Sequence, residues 1–275
     1  MCFFLLGKGL KMLYFCAFSE KKFATMKYIR AITRIILVIS VLVFIIVAIV
    51  QVPKRQCERV EVIPHTQNES VVLDQADIEK MIADAGIKTI GTKIKEVDLP
   101  AINKLLKSNP YIEEINFVHF TGTKLVIDYT LRDILLHVYT NNGDQYFVDK
   151  EGVLIPFTKK VNDYLIIANG NIHQRYKKGS TAGKELSDIV ALANKLDADE
   201  FCQAQFRQIY RNEHNQLELV STIGNQVILF GSLDNADEKL DNLKQVYENG
   251  LSRKGYNTYA QLDVRYKNRV IAQHR

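Results

Sequence analysis

Histidines, cysteines and paired acids are the residues of this 275-residue chain that could do chemistry. The six histidines stand at 65, 119, 137, 173, 214 and 274. No two of them take the H-x-x-x-H or H-E-x-x-H spacing that puts two imidazoles on one helix face around zinc. They read as surface or half-buried side chains. The four cysteines, at 2, 16, 57 and 202, contain no C-x-x-C. That excludes a zinc ribbon or a thioredoxin-type pair, and no disulfide framework is expected. No G-x-S-x-G elbow occurs. Gly179 to Lys184, GSTAGK, has the outline of a phosphate loop. It is one residue short, and Glu185 stands where a hydroxyl would hold a metal ion, so it reads as a strand-to-helix connection. Glu113 and Glu114 are neighbours on a strand and face opposite ways, which suits no shared active site. The expectation is a non-catalytic chain with no cofactor and no metal.

The elements that would position any site come next. Hydrophobic residues make up 47% and charged residues 24%, an ordinary globular composition. An outer-membrane barrel would consume most of the length in alternating strands and leave no room for the helices read below. The net charge of +5 is unevenly placed. Residues 1–34 hold seven basic residues against Glu20, a balance of +6, so the other 241 residues carry −1. A basic surface for nucleic acid is not suggested.

Ile35 to Val50 is an apolar run with Ser40 as its polar exception. Extended to residues 31–52 it would span about 33 Å as a helix, enough for a bilayer core. Arg34 can reach the headgroups, and Pro53-Lys54-Arg55 marks the far exit. A single-pass helix is expected, with residues 1–30 as a cytoplasmic tail and the bulk outside, because the basic residues precede the span. Residues 1–25 are apolar but broken by Gly7, Lys8, Gly9 and Lys11. Met26 opens MKYIRAITR, a short basic tail leading into the span, and is read as the true start.

Beyond the span, Arg59 to Ile63 alternates like a strand. Asp74 can cap a helix with Ile78, Met81, Ile82 and Ala85 on one stripe, ended by Gly86. Asp98 can cap a second, with Pro100 in its first turn and Ile102, Leu105 and Leu106 buried. Asn109-Pro110 stops it. Two strands follow: one turns Ile115 and Phe117 inward, the other Leu125, Ile127, Tyr129 and Leu131. The order is β-α-α-β-β over residues 56–131.

That order, with LLKSNPYIEEINFV at Leu105–Val118, resembles a POTRA domain. POTRA domains serve outer-membrane assembly, secretion and cell division. A short tail, one membrane helix and one POTRA domain without a barrel resemble the FtsQ (DivIB) division proteins.

Residues 132–275 add to the resemblance. Leu131-Arg132-Asp133-Ile134 stands where the family has an acid-Arg-x-Pro segment, without its proline. Tyr146-Phe147-Val148-Asp149 followed by Gly152 matches a family hairpin, and Gly152 suits a left-handed turn position. Tyr164 to Ala168 reads as a buried strand. Leu186, Ile189, Val190, Ala193 and Leu196 form a helix stripe. Gly224-Asn225 reads as a two-residue hairpin, and Asn235 with Glu238 as a capping box opening a helix. Ala260, Leu262, Val264 and Tyr266 alternate inward, then Lys267-Asn268 turns into Arg269-Val270-Ile271-Ala272. YAQLDVRY at Tyr259–Tyr266 is similar to the family's C-terminal strand. The expected fold is α+β: membrane helix, POTRA domain, then a mostly antiparallel β domain with flanking helices.

The resemblance implies a non-catalytic scaffold at the division septum of the inner membrane. It would bind an FtsB-like and FtsL-like pair and help control septal peptidoglycan synthesis by FtsW and its transpeptidase. FtsK-like proteins would dock on the POTRA domain. Binding would proceed by strand addition to a sheet edge. The residues carried over are Tyr266, Asn268, Val270 and Ile271; the family's tryptophan near the chain end is absent, and His274 lies near its place. A second reading is an exported POTRA adaptor for outer-membrane protein assembly or secretion. The reading of Met26 is checked by mass spectrometry of the mature N-terminus: a peptide starting at Met26 is expected, and one containing Phe15 or Phe18 overturns it.

Overall fold

The computed structural model describes residues 32–48, 55–66, 73–161 and 165–275. By their contacts they fall into two units, one within 1–57 and 91–97, the other 58–90 and 98–275. In the first, a helix (α1) covers residues 32–48, with every side chain exposed. Among the described residues no helix is long and apolar enough to cross a membrane. The expected tail lies outside the described residues, as do residues 31 and 49–52 of the expected span. Also in this unit, Cys57 N–H donates to Thr92 O at 2.9 Å and Gly91 N–H to Cys57 O at 2.8 Å, stitching 55–57 to 91–97.

The second unit opens with the expected β-α-α-β-β series: β1 (Arg59–His65), α2 (Gln75–Asp84), α3 (Leu99–Lys107), β2 (Ile112–Thr121) and β3 (Lys124–Leu131). Aspartates start both helices. Asp74 accepts from Asp77 N–H at 2.9 Å while Asp77 accepts from Asp74 N–H at 3.1 Å, a reciprocal cap worth about 1 kcal/mol. Asp98 accepts from Ala101 N–H at 2.9 Å. Ile78, Ile82, Ile102 and Leu106 are buried against the sheet, whose order is β1-β3-β2 with β1 parallel to β3. Met81 is only half-buried and Ala85 exposed, because α2 ends at Asp84 and Ala85 is its cap. Leu105 is half-buried as well.

Phe117 corrects the expected alternation. Leu125, Ile127, Tyr129 and Leu131 of β3 do point under the helices. A bulge between Ile115 and Phe117 shifts the parity of β2, so Val118 and Phe120 oppose Ile127 and Leu125. Phe117 is turned to the open face, 40% exposed, its ring 4.7 Å from His119. Opposite it, Asp128 is held below the usual carboxylate range by the Asn116 amide and by His65.

The remaining residues build a nine-stranded sheet in the order β12-β11-β10-β9-β8-β7-β4-β5-β6. Its strands are β4 (Ile134–Tyr139), β5 (Gln145–Asp149), β6 (Leu154–Pro156), β7 (Ile166–Gly170), β8 (Phe206–Arg211), β9 (Leu217–Ser221), β10 (Val227–Gly231), β11 (Tyr259–Asp263) and β12 (Ile271–His274). Five of the eight pairings are antiparallel, as expected; β4-β7, β7-β8 and β10-β11 are parallel. Two of the parallel joins need helical crossovers. Helices α4 (Lys184–Ala198) and α5 (Glu200–Gln205) link β7 to β8. Helix α6 (Ala236–Gln245) and a π-helical turn, Val246–Leu251, link β10 to β11. The α4 stripe of Leu186, Ile189, Val190, Ala193 and Leu196 is buried as its period demands, together with Leu136, Val138, Ile209, Leu219, Phe230 and Leu243.

Two expected local signals resolve differently. The β9–β10 connection is longer than two residues: Ser221 N–H donates to Gln226 O, and Gly224 and Asn225 both take positive φ inside that loop. Asn235 has φ 52 and makes no side-chain cap on α6, so the capping box does not form.

Asp149 joins the two sheets. It accepts from Glu151 N–H at 3.0 Å, from Val153 N–H at 2.7 Å, and from the Arg132 guanidinium at 2.8 Å. Gly152, with φ +83, closes the turn by donating to Asp149 O at 3.0 Å. Arg132 lies on the two-residue exit from β3, so the pair ties the first sheet's exit to the β5–β6 hairpin. Asp149 keeps 4% of its side chain exposed and Arg132 19%. Arg132→Ala strands that buried carboxylate without its cation and should cost about 3 kcal/mol. Urea unfolding measures it, and an unchanged midpoint would show that the pair adds nothing.

Candidate partner-binding edge

Tyr266, Asn268 and Val270 fall in the short stretch between β11 and β12, and Ile271 is the first residue of β12, at the outer end of the large sheet. The path of that stretch is set by Asp263. Its carboxylate accepts from Arg265 N–H at 3.1 Å, Arg265 Nε at 2.9 Å and Arg265 Nη2 at 2.6 Å. The guanidinium grips the acid two residues back and ends β11. Gly231 makes room for this: it has φ +79, and a Cβ there would lie 3.0 Å from Arg265 Cγ. Hydrogen bonds from Arg265 hold the Asp263 carboxyl below the usual range, against the opposing pull of burial.

The four residues then separate. Tyr266 was expected as the last inward member of a strand; it lies instead in the bend beyond β11 and is 49% exposed. The reason is the Asp263–Arg265 grip, which turns the chain just past Val264, whose N–H still donates to Leu229 O at 3.1 Å. Asn268 sits at φ 56, and its N–H donates to Glu238 Oε1 at 3.2 Å. Glu238, read from sequence as a capping residue, therefore holds the turn of the candidate site. Val270 packs on the main core. Ile271 opens β12, opposite Asp263, and is 50% exposed.

Every residue of β12 is exposed, and among the described residues the strand pairs only with β11. His274 rests its ring against Tyr259 at 4.6 Å. Beside the turn an open groove of about 430 Å³ is lined by Asn242, Gln245, Val246, Asn249, Asn268 and Val270. Lys239 supports this end of α6 from below. Its ammonium donates to Phe230 O at 3.1 Å and Ser232 O at 2.8 Å, and burial lowers its pKa. Lys239 was not picked out by sequence, and Glu238 only as a capping residue; their i, i+1 position on an amphipathic helix facing the turn is the signal that could have drawn notice to the pair.

The remaining chemical candidates have local explanations. At the start of α4 the Gly183 N–H donates to Gln174 Oε1 at 2.7 Å, and Glu185 accepts from His173 N–H at 2.8 Å. That helix end is closed by the chain's own side chains. Among the described residues no group of three or more His, Cys, Asp or Glu could hold a metal ion.

Residues 135–273, just over half of the chain, match the family model described as FtsQ/DivIB, C-terminal related. The chain belongs to the FtsQ/DivIB family. Residues 55–130 match a POTRA-like domain. No curated protein matches the chain. For this FtsQ/DivIB member the two matched domains are those of a cell-division scaffold.

The lowered pKa of Asp263 predicts how the edge responds to acid. A depressed carboxylate contributes its full stability above the unfolded value of about 4 and loses it as pH falls through the folded value. Asp263→Asn should cost about 1 kcal/mol at pH 7, and the difference from wild type should shrink as pH falls below about 4. Thermal melts at neutral and acid pH test this, and a gap that persists in acid would assign the cost to packing instead.

Proposed function

We propose that this chain is a bitopic, non-catalytic division scaffold that offers β12 to an FtsB-like partner of an FtsB–FtsL pair. The observation that carries the reading is the edge itself. A fully exposed terminal strand presents N–H and C=O groups that an incoming strand can complete. Ile271 on the strand and Tyr266 in the bend before it stand exposed as side-chain contacts. Asn268 shapes the turn, and Val270 fixes it to the core. Through that partner the scaffold would act on FtsW and the septal transpeptidase, with the POTRA-like domain free for FtsK-like proteins.

Anchoring in the inner membrane, N-terminus inside, belongs to the same reading. Its support is α1, where Ile36, Leu37, Leu42 and Phe44 are exposed on all sides, an arrangement suited to lipid. The apolar sequence continues to Val50.

Tyr266→Ala should weaken binding of an FtsB-like peptide about tenfold while circular dichroism stays unchanged. Unchanged affinity would move the site away from this end of the sheet. A functional fluorescent fusion to the N-terminus should band at midcell before constriction; uniform envelope labelling would favour the outer-membrane adaptor.

A further inference from the structure

A second surface lies at the other end of the large sheet. Leu136 and Val138 of β4, Val148 of β5 and Ile166 and Ala168 of β7 face the core beneath the helices. Their alternate neighbours therefore face the opposite side. There His137, Tyr139, Phe147 and Ile167, with Phe157 and Lys159 from the segment after β6, line a cleft of about 330 Å³. His137 is ringed by aromatics: Tyr139 at 4.4 Å, Phe147 at 4.9 Å and Phe157 stacked at 5.3 Å. Tyr139 is 42% exposed and Ile167 38%. Leaving such side chains open on a sheet face is costly unless something covers them.

The polar character of the cleft is one-sided. Among the described lining residues Lys159 is the only lysine or arginine, and none carries a carboxylate. The next lysine, Lys160, is already spent on Asp77 of α2 at 2.6 Å. The rings of His137, Phe147 and Phe157 pack on one another at one wall of the cleft. A cleft walled by aromatic rings, with Lys159 as the cation among its described lining residues, fits a large side chain next to a carboxylate.

We propose that this cleft docks a protein partner through one aromatic or large aliphatic side chain flanked by an acidic residue. The cleft is five strands from β12, about 24 Å, so both surfaces can be occupied together. Its wall is also held by the first domain. Tyr111 Oη donates to Pro156 O at 2.7 Å, directly before Phe157. Occupancy of the cleft therefore bears on the segment that Tyr111 and Asp77 clamp.

The test uses the full chain in detergent with labelled isoleucine methyls. N-acetyl-Asp-Trp-amide should shift the Ile167 methyl saturably, and N-acetyl-Lys-Trp-amide should bind about fivefold more weakly. Lys159→Gln, an exposed change that leaves the melting temperature unaltered, should erase that difference. Equal binding of the two dipeptides to wild type, or no shift at Ile167, overturns the proposal. So does a response to the N-acetylglucosamine tetramer alone, which would make the cleft a glycan site.

Discussion

A single buried carboxylate governs how the two sheets meet. Asp149 takes two backbone donors from its own turn and the guanidinium of Arg132. Each partner alone is modest, but a carboxylate so deeply buried is tolerable only when its lone pairs are filled. The consequence runs in both directions along the chain. Backward, it fixes the exit from β3, where Tyr111 packs with Ile134, Phe147 and Ile155 in a small second core. Forward, it sets the β5–β6 hairpin from which the nine-stranded sheet is laid out, and with it the wall that carries Phe157 and Lys159.

The two ends of that sheet are treated differently. At β6 the edge is short, ends in Pro156, and is covered where Leu154 N–H donates to Ser180 O at 2.9 Å. These are the devices by which sheets suppress pairing with other chains. At β12 there is no proline and no covering segment among the described residues, and Arg275 is tied back to Gly224 O at 2.6 Å. One edge is closed and the other is kept open and braced.

Much of this was readable from residue spacing, and the failures have physical causes. Helix caps at Asp74 and Asp98, the α4 stripe and the Asp149–Gly152 turn follow from local chemistry, and local chemistry decided them. Phe117 could not be placed because a bulge changes strand parity without any glycine or proline to announce it. Asn235 and Glu238 had the right spacing for a cap, but a tertiary contact with Asn268 claimed the glutamate and a left-handed backbone the asparagine. At the candidate edge the four residues were found together, while their division of labour depended on the Asp263–Arg265 grip. A contact between residues two apart leaves no periodic trace.

From β7 to β12 the order of strands across the sheet is the order of the chain. Each of these strands therefore pairs with its predecessor in the chain, and β12 stands at the margin of the described sheet. The backbone donors and acceptors at such a margin repeat the same pattern whatever the sequence. What sets this margin apart is its side chains: exposed Ile271 and the bend that carries Tyr266.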